Sequence, residues 1–186
     1  MLQTAAFSVF GVCFILWSLA FVSARKRAAG QREVARAPVS AWGILLEGIG
    51  FALVFMRVQP ENFEKSDWSL MVSMILSPLS AALGWAAVRH LGKQWRYQAG
   101  LNEDHELIQT GPYRWIRHPI YASMLGFLLA VAAAWTWWPM ILAGLTMFLA
   151  GTEIRVRAED RLLASRFGER FREYQSRVPA YIPFIR

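Results

Sequence analysis

Between Gly111 and Tyr121 the chain reads Gly-Pro-Tyr-Arg-Trp-Ile-Arg-His-Pro-Ile-Tyr, and this run opens onto the longest uncharged stretch of the sequence. His118 supplies a ring that donates or accepts protons, Pro119 fixes the backbone beside it, and Tyr113, Tyr121, Arg114 and Arg117 add hydroxyls and cations. An Arg-His-Pro triplet where a polar loop enters an apolar segment is costly unless it is used. The run therefore predicts the rim of a binding pocket, half in an apolar phase and half in water. Two other groups have the chemistry to share it. Gln98 and His105-Glu106-Leu107-Ile108 come before it; Arg155 and Glu159 come after it, four residues apart and so on one helical face. Together they offer hydrogen-bond donors, a cation, an anion and aromatic faces around an apolar slot, which suits an amphipathic ligand or a charged cofactor.

The elements that must position these groups read as membrane spans. Of the 186 residues 55% are hydrophobic and only 18% are charged, which is little charge for a soluble domain. The apolar residues come in blocks rather than stripes. Met1 to Ala24 and Trp68 to Val88 carry no charge, Ala37 to Met56 carries only Glu47, and Pro119 to Thr152 carries none over 34 residues. Each block is long enough to span a bilayer. The last is too long for one straight span, since at ~1.5 Å per residue it would reach ~51 Å against a hydrocarbon core of ~30 Å. Its centre, Trp135-Thr136-Trp137-Trp138-Pro139, has interfacial tryptophans and a proline that cannot continue a helix. Two helices, about 119–134 and 138–157, follow from this.

The expected fold is all-α: a polytopic membrane protein with about five transmembrane helices, the last two forming a helical hairpin, plus a cytoplasmic C-terminal helix over 153–178. Pro179 and Pro183 mark a short tail. No repeat or long linker divides the chain. It reads as a single domain, with three spanning helices in 1–88 and a connector, hairpin and terminal helix in 89–186.

Charge sets the expected orientation. Segment 25–36 is net +4, 57–67 net −1, 89–118 net +2 and 153–186 net +3, so positive and non-positive connections alternate. By the positive-inside rule the N-terminus lies outside, and the three positive segments face the cytoplasm together with the candidate site. The first block lacks a basic leader and is followed at once by Arg25-Lys26-Arg27, so it reads as a span rather than a cleaved signal. The net charge of +7 does not call for nucleic acid, because the basic residues flank spans where orientation and anionic headgroups explain them. Cys13 is the single cysteine, which excludes an intramolecular disulfide and a cysteine zinc site.

Six stretches in order resemble the isoprenylcysteine carboxyl methyltransferase family: His105–Ile108, Gly111–Tyr113, Arg117–Tyr121, Arg155–Asp160, Phe167–Tyr174 and Val178–Pro183. The likeness covers about residues 90–186. It implies an integral membrane enzyme that uses S-adenosylmethionine without a Rossmann sheet. By that resemblance Gln98, His105, Glu106, Leu107, Ile108, Tyr113, His118, Pro119, Ile120, Tyr121 and Glu159 line the cofactor pocket, and Arg155 is the catalytic-site residue facing the methyl acceptor. Two positions depart from the family pattern. Asp160 stands for a second glutamate and Phe171 for a tyrosine.

The chemistry agrees with methyl transfer. A sulfonium donor is already activated, so no metal is required; transfer needs in-line approach and exclusion of water. A carboxylate acceptor needs no base, and Arg155 is suited to hold it by a charge-assisted pair. Glu159 is suited to accept hydrogen bonds from cofactor amine or hydroxyl groups. The expected acceptor is the carboxylate of an isoprenylcysteine-like substrate, a lipophilic or prenylated molecule entering from the membrane lipids between helices. A lipid amine or small thiol methyltransferase, an NADPH-dependent sterol-reductase-type enzyme and a catalytically idle membrane protein are the alternatives. Glu47, a carboxylate in mid-span, reads either as a packing contact or as a polar group on the substrate side. His90 reads as interfacial.

Overall fold

The computed structural model describes residues 1–28, 32–56, 60, 61 and 63–182; the expected tail mark at Pro183 lies outside these. Helix α1 (Leu2–Ala28) closes on Arg25, Lys26 and Arg27, cations placed favourably at the negative end of its dipole. Strand β1 (Glu33–Arg36) leads into α2 (Ser40–Phe55). Helix α3 (Asp67–Leu91) starts at Ser66, whose hydroxyl accepts the Ser69 amide at 3.3 Å, and stops at Gly92 in the left-handed region. Strand β2 (Gly100–Asn102) and a 3-10 turn at Gly111–Arg114 follow, then α4 (Pro119–Trp135), α5 (Trp138–Phe167) and α6 (Glu169–Arg177).

The break expected inside the long apolar block falls at Thr136 and Trp137, with Pro139 in the first turn of α5. The charged continuation differs from expectation. One unbroken α5 carries both apolar and charged residues to Phe167, and Gly168, at φ 53°, splits the terminal helix into α5 and α6. The pairing of β1 with β2 was also outside the sequence reading. The two strands are antiparallel, with Arg36 opposite Gly100 and Ala35 opposite Leu101. At four and three residues they are too short to give a period-2 signal in the sequence.

Helices α1, α3 and α5 are long and apolar enough to cross a membrane; α2 and α4, at 16 and 17 residues, are apolar but shorter. The chain is an integral membrane protein. The arms of the α4–α5 hairpin part after their turn. Helix α3 packs along α1 and α4, while α2 packs along α5. An aromatic cluster around Phe127, with Phe10, Phe14 and Trp17 set against its ring, fills the first group. Trp17 also donates to the Ser123 hydroxyl at 3.1 Å.

The second group is held by close backbone approach. Gly43 and Gly50 on α2 face Gly151 and Gly144 on α5. A Cβ added at Gly50 would sit 2.6 Å from the Gly144 carbonyl oxygen, and one at Gly151 would sit 2.5 Å from that of Gly43. Small residues that let helices touch along their backbones are a main source of packing energy in lipid. Gly50→Ala and Gly151→Ala should each cost about 1–3 kcal/mol by overpacking. Gly11→Ala, where an added Cβ meets nothing within 4 Å, should be neutral or stabilise by up to ~1 kcal/mol. Thermal unfolding in detergent micelles checks this; equal shifts at all three positions would contradict the close approach.

Candidate active site

The start of α4 is fixed from the far end of the chain. The Arg117 amide donates to the Pro179 carbonyl at 2.9 Å and the His118 amide to that of Ala180 at 2.7 Å. The buried His118 ring then lies between two adjacent carboxylates of α5. Its Nε2 meets Asp160 Oδ1 at 2.9 Å and its Nδ1 meets Glu159 Oε2 at 3.2 Å. Burial alone pulls the His118 pKa down, but its hydrogen bonds to Asp160 and Glu159 outweigh that and push it up to about 9. At neutral pH the ring is an imidazolium that donates from both nitrogens.

Further bonds complete the clasp. Arg117 donates from Nη2 to Asp160 Oδ2 at 3.1 Å and from Nη1 to the carbonyls of Gln175 (3.1 Å) and Val178. Gln175 donates to Asp160 at 3.0 Å, and the Tyr121 hydroxyl donates to Glu159 Oε1. Two cations thus meet two anions. Asp160, the shorter acid, is fully engaged by His118, Arg117 and Gln175. Glu159 keeps part of its acceptor capacity, because a carboxylate offers about four lone-pair sites.

This clasp forms one wall of a cavity of ≈ 670 Å³. Gln98, His105, Glu106, Leu107, Ile108, Tyr113, His118, Ile120, Tyr121, Arg155 and Glu159 all line it. Pro119 does not; it is fully buried beneath the first turn of α4, where its fixed φ starts the helix. The β1–β2 pair ties the connector to the approach of α2, and the Asn102 amide donates to His105 Nδ1 at 3.4 Å. Burial, followed by the charges of Arg166 and Arg96, pushes the His105 pKa down to about 4, so this ring is neutral. Burial also raises the Tyr113 pKa, which keeps its hydroxyl protonated.

Arg155 is 8% exposed and already held. Its Nη1 donates to Glu47 at 2.6 Å, its Nη2 donates to the Tyr97 carbonyl at 2.9 Å, and its guanidinium lies 4.8 Å from the Tyr121 ring centroid. Among the described residues, three buried polar atoms of cavity-lining residues have no hydrogen-bond partner: Arg155 Nε, Arg117 Nε and Gln94 Oε1. The other end of the cavity is apolar, lined by Phe14, Trp17, Phe21, Phe51 and Met124. Val22, Gly48 and Phe55 are exposed residues that also line it, so it opens between α1 and α2. Sequence reasoning assigned none of these N-terminal residues to the site. Glu47 alone left a signal, as the single charge of its block.

The clasp has a pH signature. A histidine whose folded pKa lies above its unfolded one stabilises fully below the unfolded value, and that contribution is lost as pH rises through the folded value. Stability from His118 should therefore fall between pH 6.5 and about 9, by an amount on the order of 3 kcal/mol. His118→Gln should be less stable at pH 6.5 and lose the slope. Melting temperature against pH for both proteins checks this; parallel curves would contradict it.

Comparison with known proteins supplies a family. The profile described as the isoprenylcysteine carboxyl methyltransferase (ICMT) family matches residues 71–165. The cobalt-zinc-cadmium resistance protein CzcN of Cupriavidus metallidurans is 37% identical over 121 residues, 58% of this chain and 51% of that protein. The protein-S-isoprenylcysteine O-methyltransferase of Xenopus laevis is 27% identical over 140 residues, 67% of this chain and 44% of that protein. The methanethiol S-methyltransferase 1 of Bradyrhizobium diazoefficiens is 40% identical over 78 residues, 40% of this chain and 25% of that protein. The chain spans about half or less of the length of these relatives.

Proposed function

The chain belongs to the isoprenylcysteine carboxyl methyltransferase family, and we propose that it transfers a methyl group from S-adenosylmethionine to a lipophilic acceptor within the membrane, as a single domain. The observation that carries this reading is the continuity of one cavity. A polar end built from the connector and the clasp runs into an apolar end that opens between α1 and α2. The volume falls within the ~300–1,000 Å³ usual for small-molecule sites.

The residues present fit the cofactor. It is amphipathic and carries both charges. Glu159 offers unused acceptor sites to its amine or hydroxyl groups, and the partnerless Gln94 Oε1 is a second acceptor at the same end. Tyr113 and Trp95 offer aromatic surface to a flat ring. When bound, it supplies a methyl carbon on a sulfonium, activated without metal. The chain's own residues orient and shield. His118 and Tyr121 hold Glu159 in place, while Leu107, Ile108 and Ile120 keep water from the polar end. The acceptor's apolar body enters from lipid past Val22 and Phe55.

Two relatives name two kinds of acceptor, an isoprenylcysteine and methanethiol. For the first, Arg155 is the group suited to meet an acceptor carboxylate, through the Nε that lacks a partner. For orientation, the charge alternation supports a cytoplasmic polar end, with the positive segments 25–36, 89–118 and 153–186 on one side.

Saturable binding of radiolabelled S-adenosylmethionine to sealed membrane vesicles tests site and orientation together. Inverted vesicles carrying the wild type should bind it, right-side-out vesicles should not, and Glu159→Ala should weaken binding about tenfold or more through loss of charge-assisted hydrogen bonds. Absence of binding to either kind of vesicle would overturn the function. Binding only to right-side-out vesicles would reverse the orientation.

A further inference from the structure

Glu47 is the one acid of α2, 2% exposed, in a helix that is otherwise apolar. A carboxylate there is expensive unless paired. Its pairing is specific: Arg155 donates to Oε2 at 2.6 Å and the Thr152 hydroxyl to Oε1 at 3.1 Å. The contact of Gly43 with Gly151 sets the helices close enough for it. Glu47 also faces the cavity, next to Ile44 and Phe51, where polar and apolar ends meet.

We infer that Glu47 shapes the acceptor end of the cavity for an uncharged nucleophile on an apolar body, a thiol or an amine, and against a carboxylate; this rests on the methyl-transfer reading above. Arg155 does not present an open fork to an incoming anion. Nη1 is on Glu47, Nη2 is on the Tyr97 carbonyl, and only Nε is left without a partner. A carboxylate acceptor would set two anions on one cation in apolar surroundings, where like charges repel strongly. An uncharged group meets a pair already neutral. The clasp adds no spare cation, because Arg117 and His118 are matched by Asp160 and Glu159.

The proton balance points the same way. A carboxylate acceptor has no proton to lose, so a carboxylate on the cavity wall serves it nothing. A thiol gives its proton to the Glu47 carboxylate as its sulfur lone pair bonds to the methyl carbon; a primary amine reacts as the free base, its nitrogen lone pair bonding to the methyl carbon. The donor's carbon–sulfur bond breaks, and its electron pair stays on the donor sulfur. The proton, from the thiol or from the N-methylammonium that the amine becomes, is carried on the Glu47 carboxyl and leaves through the polar end of the cavity.

The experiment uses wild type and Glu47→Gln in lipid nanodiscs, with decanethiol, decylamine and decanoate as acceptors of one chain length. Wild type should methylate the thiol or the amine about tenfold or more faster than decanoate. Glu47→Gln should lose most of that turnover and bind decanoate about tenfold more tightly, the size of one removed like-charge contact. Decanoate binding is read directly by quenching of tryptophan emission, since Trp17 and Trp95 line the cavity. Decanoate turned over as fast as the thiol and the amine by wild type would overturn the inference, as would unchanged decanoate affinity in Glu47→Gln. If wild type methylates none of the three, the methyl-transfer reading falls, and the decanoate affinities still decide the role of Glu47. If Glu47→Gln does not fold, the wild-type order of acceptors decides it.

Discussion

A protonated imidazole held between two neighbouring carboxylates is the interaction on which the rest of this molecule depends. His118 begins α4, while Glu159 and Asp160 sit on α5, and away from their turn those two helices part company. The clasp closes the far end of a hairpin whose arms pack on different neighbours. It also recruits the end of the chain, because Arg117 and His118 take the carbonyls of Pro179 and Ala180 through their amides. Charge within it cancels, as burial requires: an unmatched ion there would cost several kcal/mol. Closure at this end is what makes the space between the arms a cavity rather than a cleft.

The other constraint is steric. Two glycine contacts draw α2 onto α5, and that approach decides which side chains meet. Glu47 and Arg155 become partners because their backbones touch one turn away. Helix packing and the lining of the cavity are thus set by the same contact. The pair is matched in charge, walls the cavity, and leaves the apolar end open beside exposed residues of α1 and α2.

Much of this was legible in the sequence, for identifiable reasons. The break at Thr136–Trp137 was marked by clustered tryptophans and a proline, residues whose preferences are local. Gln98, His105, Glu106, Leu107, Ile108, Tyr113, His118, Ile120 and Tyr121 all line the cavity because the connector folds over a short distance. What was not legible depended on distant pairing. Glu47 and Arg155 are 108 positions apart, and nothing in the local pattern of either names the other. Pro119 looked like a ligand contact in the motif, yet it lies under the helix start; His118 lines the cavity, but the meeting of both its ring nitrogens with acids of α5 left no local signal. Gly168 was visible in the sequence, but a charged helix tolerates an isolated glycine, so the turn it makes before α6 gave no separate signal. The β1–β2 pair spans too few residues for its periodicity to be seen.

The central claim is that the methyl donor sits against the connector and clasp while the acceptor occupies the apolar end. Direct ultraviolet crosslinking of methyl-labelled S-adenosylmethionine to the purified protein, followed by peptide mapping, tests it most plainly. The account predicts that the label is recovered on residues 94–121 or on the Glu159–Leu163 stretch of α5, and that excess unlabelled donor abolishes it. Label concentrated at the opposite end, on the first turns of α3 or beside the Thr136–Trp137 turn, would contradict it.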